Sequence, residues 1–268
     1  CNYAYVSGHL EAVFRQIPNR IRTLDELMMP DVLRTLCDLP RGLVLVVGPT
    51  GSGKSTTLAA MIDYINARRR GKIITIEDPI EFVHQPRRCG ISQREVHTDV
   101  LSFERGVRAA LRQDPDVLLI GEMRDTETVR EGIRAADTGH LVFATLHTNN
   151  AEETVDRLIN QFPGDERSDI RSKLALTLQG VISQKLVKTK DGRGRRAAVE
   201  VMVATDSVRN QIRDGATHML PSEIMTGSKF GMQTLERSLA ELVVEGAIDR
   251  KEASGQTPNL DALDREIT

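Results

Sequence analysis

The chain of 268 residues has few aromatic side chains, which make up 3% of its composition, and it has no tryptophan. Proteins that bind single-stranded nucleic acid stack bases on exposed aromatic rings, so this scarcity argues against that class. The formal net charge is −2, whereas DNA-binding domains carry a strongly basic surface. We therefore expect no direct nucleic-acid partner.

Cysteine is also scarce. Cys1, Cys37 and Cys89 lie far apart and form no Cys-x-x-Cys pair, so neither a zinc knuckle nor a disulfide framework is expected. The sequence has no run of 18 apolar residues, so no membrane span is predicted, and it shows no secretory signal peptide. Because it starts with cysteine rather than methionine, we expect it to begin inside a longer chain.

Short apolar runs alternate with helical patterns over much of the chain. Continuous apolar runs are typical of buried parallel strands, and they occur at residues 43–47, 72–76, 117–120 and 141–145. Helical patterns lie between them at residues 54–67, 102–112 and 126–137. Strands that alternate with helices predict an α/β fold with a mainly parallel sheet covered on both faces.

The remaining segments predict the flanking architecture. Thr23 and Glu26 form a capping box, which predicts a helix that is interrupted at Pro30 and resumes to about Cys37. Two strands at 182–187 and 197–203 predict a β-hairpin with a basic tip, and helical patterns follow at 206–213, 218–226 and 231–245. The predicted division is short mixed segments at 1–22, a helical linker at 23–40, an α/β core at 41–204, a helical C-terminal subdomain at 205–253 and a flexible tail at 254–268.

The strongest motif follows the first apolar run. The sequence GPTGSGKST matches G-x-x-x-x-G-K-[ST] between a predicted strand and a predicted helix, the context of a phosphate-binding P-loop. Its amides and the helix N-terminus would cradle an anion, Lys54 would reach the β- and γ-phosphates, and Ser55 would ligate Mg²⁺. The alternative is a glycine-rich turn without a ligand. The candidate nucleotide-binding residues are Gly48, Pro49, Thr50, Gly51, Ser52, Gly53, Lys54, Ser55 and Thr56.

Acidic residues follow two other predicted strands. Glu122 comes after the strand at 117–120, where we predict the carboxylate of a magnesium site. Glu77, Asp78 and Glu81 come at the end of the strand at 72–76. Clustering carboxylates is costly unless a positive group compensates, and Mg²⁺ beside a water awaiting activation would do so. The alternatives are a surface turn and a solvated acidic loop.

Histidine and arginine supply further candidates. His147 follows the strand at 141–145, on the edge that carries the P-loop, and could contact the γ-phosphate during catalysis. His140 precedes that strand and is as readily a structural residue. Arginine suits bidentate recognition of phosphate or carboxylate, although most arginines pair weakly at the surface. Composition alone does not choose among Arg15, Arg94, Arg108, Arg112 and Arg124.

Four segments follow one another along the chain: the P-loop, IEDPIEF, RQDPDVLLIGEMRD and TGHLVFATLHTN. They resemble the Walker A motif, Asp box, Walker B motif and His box of the secretion ATPase superfamily, which powers type II secretion, type IV pili and some conjugation systems. The resemblance extends from Arg15 onward. It implies a RecA-like P-loop NTPase core, with residues 1–22 as the remnant of a PAS-like N-terminal domain that is otherwise largely missing.

The resemblance also implies roles for single residues. Glu81 matches the catalytic glutamate and Glu122 the Walker B magnesium residue. Arg15 matches an arginine that reaches a neighbouring subunit's nucleotide, and Arg112 and Arg124 match arginines that support the nucleotide site or the subunit interface. The implied assembly is a cytoplasmic homohexamer that uses ATP and Mg²⁺. It would associate peripherally with the inner membrane, at its cytoplasmic face, through a platform protein of the pilus machine.

Two segments are similar to the retraction ATPases within this superfamily. Residues 207–214, SVRNQIRD, resemble the motif AIRNLIRE, with Ser207 in place of Ala and Gln211 in place of Leu, and residues 231–235 resemble the C-terminal region. The tetracysteine zinc loop usual in assembly and type II secretion ATPases is lacking. The resemblance implies an ATPase motor for pilus retraction and twitching motility. The alternatives are an assembly or secretion ATPase and an accessory retraction paralogue.

Overall fold

The structure is a computed structural model that describes residues 2–14 and 20–268. Its strands are β1 (Asn2–Val6), β2 (His9–Val13), β3 (Gly42–Val47), β4 (Gly71–Glu77), β5 (Cys89–Glu95), β6 (Val117–Ile120), β7 (Leu141–Leu146), β8 (Leu178–Lys188) and β9 (Arg195–Val203). Its helices are α1 (Val32–Cys37), α2 (Lys54–Arg68), α3 (Phe103–Ala110), α4 (Thr126–Asp137), α5 (Ala151–Asn160), α6 (Arg167–Thr177), α7 (Asp206–Asp214), α8 (Leu220–Thr226), α9 (Leu235–Val244), α10 (Arg250–Ser254) and α11 (Leu260–Ile267).

The main sheet has seven strands in the order β5-β4-β6-β7-β3-β8-β9. The first six run parallel, and β9 pairs antiparallel with β8. Leu45 of β3 lies between Ala144 of β7 and Val181 of β8. This arrangement confirms the predicted α/β fold, and it brings the carboxyl ends of β3, β4, β6 and β7 to one edge.

The central strand β3 is buried at every position, because helices cover both faces of the sheet. Its side chains alternate between two apolar clusters. Leu43, Leu45 and Val47 pack in the cluster that includes α4, α5 and α6, whereas Val44 and Val46 pack on the side of α1 and α2. This alternation is the period of two that a strand imposes. Full burial stabilises each such side chain by about 1.5–3 kcal/mol relative to exposure.

A third apolar cluster corrects the expectation of a flexible tail at 254–268. Leu263 on α11 is buried together with Leu239 and Leu242 of α9 and Val187 of β8. The Asn259 side chain caps α11 by accepting a hydrogen bond from the Ala262 amide at 3.1 Å. The tail prediction is wrong because Leu263 and Ile267 share one helical face that α9 covers.

The predicted helix at Thr23 is also corrected. The capping box forms, since Glu26 N donates to Thr23 Oγ1 at 3.1 Å and Thr23 N donates to the Glu26 carboxylate at 2.9 Å. Only one turn follows, because Met28 takes a left-handed conformation (φ 53°) and Met29 N bonds back to Leu24 O. This is the hydrogen-bond pattern that ends helices, and α1 begins only at Val32.

The two flanking regions of the core hold different kinds of structure. β1 and β2 form an antiparallel hairpin whose assignment to a PAS-like domain remains a prediction. The predicted hairpin of β8 and β9 is confirmed and is longer than expected. Val208 of α7 and Ile224 of α8 pack in the core cluster rather than in the cluster with α11.

Within residues 2–14 and 20–268, no helix combines the length and apolar character that a membrane crossing requires.

Candidate active site

The predicted P-loop joins β3 to α2, as the sequence indicates. Gly48, Gly51 and Gly53 have φ values of 142°, 80° and 91°, a region that only glycine adopts readily. A Cβ atom on Gly48 would lie 2.3 Å from Gln184 O, and one on Gly53 would lie 2.7 Å from Gln184 Nε2. The loop therefore needs glycine both for its backbone conformation and for its close approach to β8.

Lys54, the first residue of α2, is folded back over the loop. Its Nζ atom donates hydrogen bonds to Gly48 O at 2.7 Å and to Pro49 O at 3.1 Å. Burial lowers the pKa of Lys54, and the nearby carboxylates of Glu122 and Glu81 oppose that shift. An ammonium group that is partly desolvated and held at a glycine-rich loop is suited to an anionic phosphate.

Gln184 on β8 holds the P-loop from behind. Its Nε2 donates to Ser52 O at 2.7 Å, and its Oε1 accepts a hydrogen bond from Thr57 Oγ1 at 2.8 Å. Gln184 is almost fully buried, and it is absent from the residues that the sequence predicts for the site. The available signal is a glutamine within the apolar strand pattern at 182–187, because a buried amide must find partners.

Glu122, Arg124 and His147 meet at the ends of β6 and β7. Arg124 Nη2 lies 2.6 Å from Glu122 Oε2, and His147 Nε2 lies 3.3 Å from Glu122 Oε1. The other ring nitrogen of His147 lies 3.5 Å from Thr50 Oγ1 of the P-loop. His147 therefore bridges the carboxylate that follows β6 and the phosphate-binding loop.

The third group of polar residues follows β4. Glu77 Oε1 accepts hydrogen bonds from Thr75 Oγ1 at 2.6 Å and from Gln93 Nε2 at 3.2 Å. Burial raises the pKa of Glu77, and hydrogen bonds from Thr75, Gln93 and the Glu81 amide oppose that shift. Glu81 follows in a segment that belongs to no helix or strand.

One cavity of about 380 Å³ gathers these groups. Seven of the predicted P-loop residues line it, and Gly48 and Pro49 complete the loop behind them. Its acidic and basic lining comprises Lys54, Glu77, Asp78, Glu81, Glu122, Arg124 and His147. The structure therefore brings together Glu81, Glu122, Arg124 and His147 with the P-loop.

A second cavity of about 560 Å³ adjoins the first, and Gly53, Thr56 and Leu186 line both. Apolar side chains of Met29 and Phe82 form part of its wall. Basic residues from two regions complete it, namely Arg20, Arg22, Lys188, Arg193, Arg195 and Arg196. Two P-loop residues, Gly53 and Thr56, thus border both a cavity with four carboxylates in its lining and a larger one with apolar and basic walls.

Other predicted residues lie elsewhere. Arg112 is exposed in a short 3₁₀ helix before β6, at the opposite edge of the sheet, and does not line the cavity. At the same edge, His140 Nδ1 lies 2.9 Å from Ala135 O, which is a structural contact. Arg94 and Arg108 pair with Gln113 and Glu131. Arg15 falls outside the residues that the structure describes.

The fold and the site define a class of protein. A glycine loop leads from a buried parallel strand into a helix that begins at Lys54. Acidic residues follow two further strands at the same edge. These features are those of a P-loop NTPase with a RecA-like α/β core.

Comparison with known proteins gives the family. Residues 20–254 match the model of the type II/IV secretion system protein family, and the chain belongs to that family. The chain is 54% identical over 242 residues to the type IV pilus retraction ATPase PilT of Pseudomonas aeruginosa, a match that covers 90% of this chain and 70% of the relative. It is 50% identical over 252 residues to the twitching motility protein of Neisseria gonorrhoeae, covering 94% of this chain and 67% of the relative.

A solved structure shows the same architecture. The crystal structure of the pilus retraction motor PilT with bound ADP superposes with a TM-score of 0.91 at 43% identity. The match covers 98% of this chain and 75% of that one. This similarity confirms the predicted RecA-like core.

Proposed function

We propose that this protein is an ATP-hydrolysing motor that drives the retraction of type IV pili. The observation that carries the proposal is the single cavity in which the P-loop faces Glu81, Glu122 and His147. The similarity to two proteins named for pilus retraction and twitching motility gives the motor its task.

The P-loop would hold the phosphates of ATP. The positive φ values of Gly51 and Gly53 let its amides turn toward an anion, and α2 adds the positive end of its dipole. Lys54 would exchange its bonds to Gly48 O and Pro49 O for the β- and γ-phosphates. The nucleoside would extend into the second cavity, where Phe82 and Met29 offer apolar contact.

The donor set of the cavity fits Mg²⁺. Within the described residues no group of three or more His, Cys, Asp or Glu side chains could hold a metal alone. Mg²⁺ commonly takes one or two protein oxygens and completes its shell with phosphates and water. The Ser55 hydroxyl and the Glu122 carboxylate would supply those oxygens. The ion would neutralise charge on the β- and γ-phosphates.

Glu81 would act on the attacking water. It lines the same cavity as the P-loop, and a general base must lie within hydrogen-bond reach of the proton that it accepts. Glu81 would orient the water and take its proton as the oxygen attacks the γ-phosphorus atom. The bond from that phosphorus to the β–γ bridging oxygen would break, and ADP would leave. His147, between Glu122 and Thr50, would sense whether the γ-phosphate is present.

The arginine assignments extend the proposal to an assembly. Arg124, paired with Glu122, would help to fix the magnesium carboxylate. Arg15 would reach the nucleotide of a neighbouring subunit in a homohexamer, and the exposed Arg112 would serve at a subunit interface. Movement between domains after hydrolysis would then act on a platform protein at the cytoplasmic face of the inner membrane.

ATP turnover tests the proposal. We expect turnover per subunit to rise with protein concentration, because neighbouring subunits complete the site. The Glu81→Gln variant should lose turnover by about 10²–10⁴-fold, the usual contribution of general base catalysis. It should retain ADP binding, because the P-loop is untouched. Glu127→Gln, an exposed change on α4, is the matched control and should behave as the parent.

Two outcomes would contradict it. Parent-like turnover by Glu81→Gln would remove the catalytic role of that residue. Failure of the whole protein to restore retraction in cells that lack their own retraction ATPase would remove the task, and restoration of pilus assembly or secretion instead would favour another motor of the family.

A further inference from the structure

The segment around Glu81, residues 78–84, has an unusual support. It belongs to no helix or strand. Its backbone is nevertheless hydrogen-bonded to side chains of β5, the outermost strand of the sheet. Ile80 N donates to Glu95 Oε2 at 3.1 Å, and His84 N donates to Gln93 Oε1 at 2.8 Å. Side chains therefore provide here what a backbone ladder provides in regular structure.

Gln93 carries the greater part of this support. Its Nε2 donates to Phe82 O at 2.8 Å and to Glu77 Oε1 at 3.2 Å, while its Oε1 accepts the bond from His84 N. Gln93 lies opposite Thr75 in the register of β4 and β5, so both side chains project from the same face. The amide thus links the last residue of β4 to the backbone on the far side of Glu81.

We propose that Gln93 is a positioning residue for ATP hydrolysis: it fixes residues 82 and 84 against the end of β4 and thereby places the Glu81 carboxylate over the P-loop. The inference rests on the proposed role of Glu81. Gln93 itself does not line the cavity, so it acts through the segment that it holds and not on the nucleotide.

The chemistry requires an amide at this position. One side chain must donate to the Phe82 carbonyl and the Glu77 carboxylate and accept from the His84 amide. A carboxylate accepts but does not donate, and a hydrocarbon does neither. Phe82 and His84 are both buried, so loss of the amide would leave buried backbone groups without these partners and release the segment.

The test compares Gln93→Leu, which removes all three hydrogen bonds, with Gln93→Glu, which keeps an acceptor for His84 N. We expect each variant to lower kcat for ATP by at least about tenfold, because a displacement of about 1 Å costs that much or more. KM for ATP and the affinity for ADP should change far less than kcat, since the P-loop that would bind the phosphates is held by Gln184 and not by Gln93. Phe82 would supply only part of the apolar contact to the nucleoside. Gln113→Leu is the matched control, because that exposed glutamine is hydrogen-bonded to Arg94 of the same strand as Gln93 and not to the Glu81 segment.

A double variant separates positioning from a general loss of structure. If Gln93 acts only through Glu81, adding Gln93→Leu to Glu81→Gln should cause no further loss of turnover.

Unchanged kcat in both Gln93 variants, with turnover lost in Glu81→Gln, would overturn this inference and leave the proposed function intact. A parallel fall in kcat and ADP affinity would overturn it as well. Parent-like turnover by Glu81→Gln would overturn both. If Gln93→Leu does not fold, the kcat and ADP affinity of the isosteric Gln93→Glu variant test the inference.

Discussion

The P-loop and the Glu81 segment lie at the same edge of the sheet, but the chain holds them in different ways. The P-loop takes its shape from three glycines in left-handed conformations and from the helix that begins inside it. The Glu81 segment lies in no regular element and is held by Gln93 and Glu95 of a neighbouring strand.

This difference separates two parts of one reaction. The atoms that would bind phosphate are arranged by local backbone preference, which short sequence motifs express directly. The carboxylate that would activate water depends on side chains of another strand. Substitutions in the P-loop should therefore impair binding and hydrolysis together, whereas substitutions behind the Glu81 segment should impair hydrolysis far more than binding.

The largest effect is expected for Gly48→Ala. The new Cβ would meet Gln184 O at 2.3 Å in a backbone conformation with φ 142°. We expect a loss of stability of about 3 kcal/mol or more, since strain and a steric clash combine, and loss of ADP binding. Urea unfolding and an ADP titration measure both.

Gly51→Ala is the control for that prediction. Its φ is 80°, but no heavy atom lies within 4 Å of the added Cβ. The cost should be about 1–2 kcal/mol from backbone strain alone. Equal losses of stability in Gly48→Ala and Gly51→Ala would show that the close approach of Gly48 to Gln184 O contributes nothing to the cost of Gly48→Ala.

A smaller effect on ADP binding than that of Gly48→Ala is expected for Gln184→Leu, which removes the support behind the P-loop. Ser52 O and the Thr57 hydroxyl would lose their partner, and each buried polar group left unpaired costs about 1–3 kcal/mol. We expect lower stability and weaker ADP binding together, in contrast to the Gln93 variants. Unchanged ADP affinity in Gln184→Leu would contradict the expectation that nucleotide binding depends on the support of the P-loop more than on the support of the Glu81 segment.

A pH-dependent effect is expected at the loop after β7, which carries His147. Glu200 on β9 accepts a hydrogen bond from Ala151 N at 2.8 Å and so holds the end of that loop. Burial raises the pKa of Glu200 from 4.5 to about 7, and the carboxylates of Glu236 and Glu152 add to the shift. Between these values the folded chain binds more protons than the unfolded chain, so Glu200 lowers stability as the pH rises through that range.

Glu200→Gln keeps an acceptor for Ala151 N and removes the titration. The stability of the parent relative to this variant should therefore fall from pH 4.5 to pH 7 by on the order of 1–3 kcal/mol. Urea unfolding at several pH values measures the difference. A difference that does not change with pH would contradict a buried, titrating Glu200.

Much of the fold was predictable because its signals are local. The predicted strands at 43–47 and 117–120 match β3 and β6 closely, since continuous apolar runs flanked by turns leave few alternatives. β5 was not predicted, because its sequence CGISQRE has no continuous apolar run and it belongs to the sheet only through β4. The burial of α11 was missed for a similar reason, since its partner α9 must be in place first.

Local sequence patterns specify the P-loop, the strands that carry it and the order of the acidic segments, because glycine placement and apolar runs act over a few residues. Which polar residues meet depends on the packing of the folded chain. It moved Arg112 to the opposite edge, and it brought Gln184 to Ser52 across 132 positions and Gln93 to the Glu81 segment. Such contacts depend on strand order and register, which arise from the packing of the whole sheet and leave no pattern in any short stretch of sequence.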